Sequence, residues 1–235
     1  MSSFEEPSFA VESFSGKVRL FPLPNLVLFP HVMQPMHIFE PRYRDMLEDA
    51  LAGDRLVAMA LLAPGWEMDY DGRPTLYPVA CLGRITAYFR LADGTYNVLL
   101  LGLRRIKLLY EVKSKRRFRE ARVEIHEDLY PTREIGQSDL LHDRLRKAFL
   151  KILPFLPEAQ EQLDQLIDTD VSLGMLTDII GYMLDIDLKK KQSLLAEIDV
   201  YRRTELLLKY LAAAAVELEA DNSGFNSFPP LFSAN

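Results

Sequence analysis

The chain has 235 residues, 49% of them apolar, which is ample for a buried core and excludes wholesale disorder. Lysine and arginine number 28 against 34 acidic residues, and the net charge of −6 disfavours general nucleic-acid binding, which needs a basic face to displace counterions. A single cysteine, Cys81, excludes an intramolecular disulfide and any thiolate-rich metal framework.

The opening residues, Met1-Ser2-Ser3-Phe4-Glu5-Glu6, are acidic and polar, unlike the basic and then apolar start of a secretory signal. No uncharged apolar run approaches the roughly 18–20 residues of a membrane span. The expected location is the cytoplasm. Residues 1–16 lack periodicity, although they carry Phe4, Phe9 and Phe14, and are expected to form a flexible tail.

From 17 to about 135 the apolar residues mostly recur at every second position, which is the period of strands. Val18 to Phe21 and Leu56 to Leu62 are short strand candidates. Between them Pro41 suits the first turn of a helix. Tyr43, Leu47, Ala50 and Leu51 form its apolar stripe, and Gly53 sits where a terminator belongs. The clearest strand is Val79 to Leu91. Cys81, Ile85, Ala87, Phe89 and Leu91 share one face, and Arg84, Thr86, Tyr88 and Arg90 the other. Asp93-Gly94 tolerates the positive φ of a tight hairpin turn. The return strand, Tyr96 to Val112, opens with Val98-Leu99-Leu100-Leu101, apolar on both faces, and Gly102 predicts a bulge or bend. Glu120 to Ile125 completes the set, with Ala121, Val123 and Ile125 inward. These pieces predict a bent antiparallel sheet or partly open barrel.

From 136 to 220 the period changes to three or four, as in helices. Ser138 can cap a helix with Leu141, Leu145, Ala148, Phe149 and Ile152 inward, stopped by Pro154. A short helix is expected over Glu158 to Ile167. Asp170 or Ser172 opens another, with Leu173, Leu176, Ile180 and Met183 inward. A brief one covers Leu188 to Ala196, and the longest starts near Asp199 with Val200, Leu207, Leu211, Ala214 and Leu218 as its stripe. Short connections favour a compact bundle. Residues 221–235 carry Phe225, Phe228, Leu231 and Phe232, and Pro229-Pro230 biases them towards an extended tail. The fold class is therefore α+β: a β-rich lobe followed by a helical lobe.

Chemistry is sparse. Gly16-Lys17 is followed by Val18, so no phosphate-binding loop of the Walker type is present. Neither a dinucleotide-binding Gly-x-Gly-x-x-Gly nor a Gly-x-Ser-x-Gly nucleophile elbow occurs. His31 and His37 lack metal-ligand spacing, and no metal or cofactor is expected. Cys81, on the apolar face of the best strand, fits an inert small hydrophobe better than a nucleophile. The run Lys113, Lys115, Arg116, Arg117 and Arg119, with Phe118 interleaved, fits a solvated loop better than a single-strand stacking platform. Trp66 lies in a turn-rich loop and is either a binding anchor or a flap over the core.

Leu20-Phe21-Pro22-Leu23-Pro24-Asn25-Leu26-Val27-Leu28-Phe29-Pro30, followed by Pro35-Met36-His37-Ile38-Phe39-Glu40-Pro41-Arg42-Tyr43-Arg44, resembles the opening of the Lon amino-terminal domain family, particularly its stand-alone bacterial members. Gly83-Arg84-Ile85, the Leu91-Ala92-Asp93-Gly94 hairpin, Gly102-Leu103-Arg104-Arg105-Ile106 and the stretch from Gln192 to Arg203 follow in the family's order. The resemblance covers Val18 to Leu218. It implies a β-rich lobe packed on a helical bundle and a role in selecting protein substrates. Cereblon, a ubiquitin-ligase receptor, contains a related domain. The ATPase and protease that follow this region in Lon have no match in the residues after Leu218, so recognition is carried over and catalysis is not.

The resemblance supplies no sharp set of binding residues, so physical reasoning nominates them. Phe39, Tyr43, Trp66 and Met68 are candidate apolar contacts for an extended peptide. Glu40 and Arg105 stand in otherwise apolar strings and are expected to form a buried ion pair that holds the fold. The expected partners are polypeptide segments or unfolded proteins, with an ATP-dependent protease as a candidate partner machine. An unrecognised hydrolase using Cys81 or a carboxylate pair and a structural oligomerisation protein are the rival readings.

Overall fold

The computed structural model describes residues 14–70, 72–132, 137–152, 171–220 and 233–234. The strands are β1 (Lys17–Leu23), β2 (Met33–Ile38), β3 (Leu56–Leu61), β4 (Val79–Arg90), β5 (Tyr96–Val112), β6 (Glu120–Ile125) and the two-residue β7 (Ser233–Ala234). The helices are α1 (Pro41–Leu51), α2 (Gln137–Ile152), α3 (Leu173–Met183), α4 (Leu188–Ala196) and α5 (Val200–Ala220). The expected helix over 158–167 and the aromatic residues Phe225, Phe228, Leu231 and Phe232 lie outside the described residues. No helix among the described residues is long and apolar enough to cross a membrane.

The sheet is mixed, which corrects the antiparallel expectation. β1 runs parallel to β3, from Arg19 opposite Val57 to Leu23 opposite Leu61, because α1 lies on the crossover between them. Antiparallel pairings β3–β4, β4–β5, β5–β6 and β6–β1 then close a ring of five strands. Its apolar filling comprises Val18, Leu20, Leu56, Leu82, Ile106 and Val123, with four alanines at 58, 60, 80 and 121 where a small ring has little room. Phe14 packs against this filling.

A second, larger apolar cluster lies outside the ring and unites the two lobes. It joins Phe21, Phe29 and Cys81 to Tyr43 and Leu47 of α1, and to Leu145, Leu176, Ile180, Leu194 and Leu207 of the helices. Polar bonds cross the same boundary: Gln192 Nε2 donates to the Val79 carbonyl at 2.8 Å, and Tyr182 Oη to Gln34 Oε1 at 2.7 Å.

Several local expectations meet their physical outcome here. Gly94 adopts φ +82 in the hairpin. Ser172 caps α3 by accepting from Met175 N, and Asp199 accepts from the Tyr201 and Arg202 amides at the start of α5. The helix α2 already includes Gln137, so Ser138 is inside it and not its cap. The left-handed residue after α1 is Arg55 (φ 60), not Gly53, and its amide donates to the Ala50 carbonyl at 2.9 Å.

Candidate peptide-binding face

The site begins with two register slips. On β5, Gly102 pairs with Gly83 and Arg104 with Leu82, leaving Leu103 as an extra residue. On β4, Ile85 pairs with Leu100 and Ala87 with Leu99, leaving Thr86 extra, with its hydroxyl donating to the Leu99 carbonyl at 3.0 Å. Each bulge reverses which parity faces inward. Ala87 and Phe89 were expected on the buried face with Cys81 and Ile85. The Thr86 bulge instead moves them to the outer face, where Phe89 is 66% exposed.

Beyond these bulges, β4, β5 and the edge strand β2 form a three-stranded platform. Met36 and Ile38 point into the larger cluster, so Met33, Pro35, His37 and Phe39 point out. Their lateral neighbours outside are Leu101, Leu99 and Asn97 of β5, then Ala87 and Phe89 of β4. Met33 is 49% exposed and Phe39 42%. None of these outer residues belongs to either apolar cluster or packs against one. His37 and Asn97 supply the polar centre, with Nδ1 of His37 2.9 Å from Oδ1 of Asn97, and the His37 and Phe39 rings stack at 6.0 Å. Pro35 is tolerated because β2 is an edge strand. On that edge Ser233–Ala234 adds in parallel opposite Met36 and His37.

The nominated contacts are placed unevenly. Phe39 ends the platform. Met68, 94% exposed, and Trp66 lie on a single 3-10 turn (Trp66–Asp69). Trp66 meets Tyr70 edge-on at 5.5 Å, and Tyr70 Oη donates to Glu40 Oε1 at 2.8 Å, which ties this turn to the start of α1 next to Phe39. Tyr43 is a correction. Its ring is buried against Phe21 and its hydroxyl donates to the Pro22 carbonyl at 2.9 Å, since the inner stripe of α1 faces the core. It offers no exposed contact.

Glu40 and Arg105 are a second correction, for they do not pair. Glu40 immediately precedes α1 and accepts from Arg42 Nε at 2.9 Å and from Tyr70. Arg105 follows the Leu103 bulge, which turns it towards the helices. There its guanidinium forks onto Asp178 of α3, reaches Asp128 Oδ1 at 3.1 Å, and donates from Nε to the Leu195 carbonyl at 3.0 Å. Arg203 of α5 completes the cluster through Asp128 and Thr177.

Cys81 is fully buried, and burial beside Asp178 pushes its thiol up, away from the thiolate form, against the pull of Arg105. Its Sγ lies 3.5 Å from the Leu82 carbonyl. Burial also lowers the His31 pKa. No group of His, Cys, Asp and Glu among the described residues could hold a metal ion.

The sequence reading missed β2 and, with it, the platform. The signal was present as Met33, Pro35, His37 and Phe39 at alternate positions. Gln34, Met36 and Ile38 between them are equally apolar in balance, so neither face stood out.

Comparison with known proteins finds relatives of the same fold. The family model for the ATP-dependent protease La (LON) substrate-binding domain matches residues 17–213. The Lon protease of Anaeromyxobacter dehalogenans is 24% identical over 200 residues, covering 85% of this chain and 23% of the relative. The Lon protease of Dictyoglomus thermophilum is 27% identical over 205 residues, covering 86% and 25%. The chain thus spans about a quarter of the length of these relatives. The fold is that of the N-terminal domain of Mycobacterium avium complex Lon protease (TM-score 0.65, 18% identity, 83% of this chain and 98% of that one). A Lon N-terminal domain protein from Xanthomonas campestris is similar too (TM-score 0.60, 21% identity, 82% and 97%).

Proposed function

This chain belongs to the ATP-dependent protease La (LON) substrate-binding domain family, and from that premise we propose that it is a non-catalytic module that captures extended polypeptide segments on the β2 platform. One observation carries the reading: the edge of β2 already accepts a strand, Ser233–Ala234, beside an outer face that is apolar yet outside both cores. An added strand satisfies the main-chain donors and acceptors of the edge, whatever its sequence. Alternate side chains of that strand then lie beside Met33, Pro35 and Phe39 of β2, and flanking client residues that continue across the platform reach Leu99 and Phe89. Such recognition suits unfolded clients, which expose both backbone and apolar groups. The cellular role we assign is adaptor work in protein quality control, with captured segments passed to an ATP-dependent protease.

The test uses a permanently unfolded, carboxymethylated protein as probe, with affinity read by fluorescence anisotropy. Phe39→Ser with Phe89→Ser removes two exposed aromatic contacts and should weaken binding on the order of ten-fold without lowering the melting temperature. Removal of residues 222–235 should free the β2 edge and raise affinity. Equal affinities in all three proteins would defeat the proposal. A dimer that dissociates on the same Phe substitutions would assign the face to self-association instead. The non-catalytic part is checked separately, by ATP and casein turnover in the purified protein, both expected at background.

A further inference from the structure

The basic run singled out in the sequence takes no part in the β2 platform, and it is not a stacking strip either. Phe118 is only 4% exposed and belongs to the larger core cluster. Folding sets Arg116, Arg117 and Arg119 on one side of a cavity of about 260 Å³, with Arg42 of α1 and Arg73 on the other walls. Among the described residues no carboxylate lines it.

Five arginines meet around the cavity, and several of them share a carboxylate, while Arg42 keeps Glu40. Glu111 serves both Arg119 and Arg73, and Asp49 serves both Arg116 and Arg19. Asp45 stands 3.7 Å from Arg117. Each guanidinium has five N–H groups, so donors remain after these bonds. Arg42 makes the point at one atom: its Nη2 is buried and has no hydrogen-bond acceptor. Two of the groups are also held in place by rings. The Arg42 guanidinium lies 4.7 Å from the Tyr43 centroid and 4.8 Å from that of Tyr70, and Arg116 lies 5.3 Å from that of Phe118. Donors fixed before the ligand arrives lose little freedom on binding.

We propose that this arginine-lined cavity is a binding site for a phosphate group. A carboxylate has two oxygens and can use two or three guanidiniums. A phosphate presents oxygens in several directions and matches a set that converges from three segments of chain. The cavity lies just below the ~300 Å³ at which small-molecule sites usually begin, which suits one compact anion with little attached. The mutual repulsion of the arginines also makes anion binding stabilising, because the ligand attaches to the folded form alone. The phosphate could be free or borne by a peptide, and the experiment separates the two.

The intact chain is titrated calorimetrically with inorganic phosphate, tripolyphosphate, a phosphoserine peptide and the same peptide unphosphorylated, at about 0.15 M ionic strength. Melting temperature is followed in phosphate and in chloride of equal ionic strength. The site requires that phosphate raise the melting temperature more than chloride does. It also requires that Arg73→Gln with Arg117→Gln, whose side chains are 49% and 73% exposed, weaken phosphate binding on the order of ten-fold. Arg122→Gln, outside the cavity, should bind as the unaltered protein does. Circular dichroism establishes that the double variant is folded; if it is not, Arg117→Gln alone must show the weakening. Tight binding of the phosphopeptide but not its unphosphorylated form assigns protein-borne phosphate, and binding of inorganic phosphate alone assigns the free ion. Equal stabilisation by chloride, equal binding of the unphosphorylated acidic peptide, or undiminished binding by the variants overturns the proposal.

Discussion

Arg105 and Asp178 are the charged pair whose loss this fold would feel most. Their side chains are 2% and 1% exposed, and Asp128 and Arg203 extend the pair into a cluster of two cations and two anions. Removing one member leaves a buried charge without its partner, so Arg105→Ala should cost about 3–5 kcal/mol in urea unfolding. Arg105→Met combined with Asp178→Leu removes both charges and should recover most of that loss, while Arg203 keeps Asp128. If the double variant is no more stable than the single one, the desolvation argument is wrong. A second residue sets a pH dependence. Burial pushes the Lys191 ammonium down to about 8, although its Nζ donates to the Tyr182 carbonyl at 2.8 Å and Asp185 lies near. The unfolded chain keeps this proton up to the ordinary lysine range near 10.5, so between about 8 and 10.5 it binds more protons than the folded chain. Stability from this residue is therefore full above that window and lost as pH falls through 8. The buried Tyr182 hydroxyl, pushed up to about 12, acts oppositely above pH 10. Melting curves should show a rise from pH 8 to 9.5 that Lys191→Met abolishes.

At the scale of elements, the bulges of β4 and β5 do more than the strands' own alternation. Without the extra Thr86, Phe89 would stand on the inner face, and without Leu103, Arg105 would face away from α3. Gly102 makes the second slip possible. A Cβ there would sit 2.0 Å from the Phe29 carbonyl oxygen, in the segment that crosses the strand with His31 N donating to the Gly102 carbonyl and Gly102 N to that of Val32. The obstacle is backbone, which cannot rotate aside. Gly102→Ala should therefore destabilise by about 2–3 kcal/mol, the upper part of the overpacking range, as measured by the shift in urea midpoint. A shift no larger than that of a Gly53→Ala control, at an exposed position without a left-handed φ, would remove Gly102 from this account.

For the whole molecule, the decisive fact is that one apolar cluster contains residues of β1, α1 and β4 together with residues of each of the described helices α2 to α5. A core shared in this way gives neither lobe a stable state without the other. Urea unfolding followed by Trp66 fluorescence in the β-rich lobe and by helical circular dichroism should give coincident transitions. Two separated midpoints would mean that the lobes fold independently and that the shared cluster contributes little.

What the sequence determined by itself was local. The two hydrophobic periods marked strands before about 130 and helices after 137. Asp93-Gly94 marked the hairpin, Ser172 and Asp199 the helix starts, and the strings around Phe21 and Pro41 the family. These signals are short-range, because period and capping are properties of neighbouring residues. The parallel β1–β3 pairing, the partners of Glu40 and Arg105, the burial of Tyr43 and the outward turn of Phe89 were decided only by tertiary structure. Each depends on residues far apart in the chain, on a crossover helix, or on a one-residue slip that alternation cannot announce. The arginine run shows the same division: its charge was plain in the sequence, but only folding set Arg116, Arg117 and Arg119 around one cavity with Arg42 and Arg73.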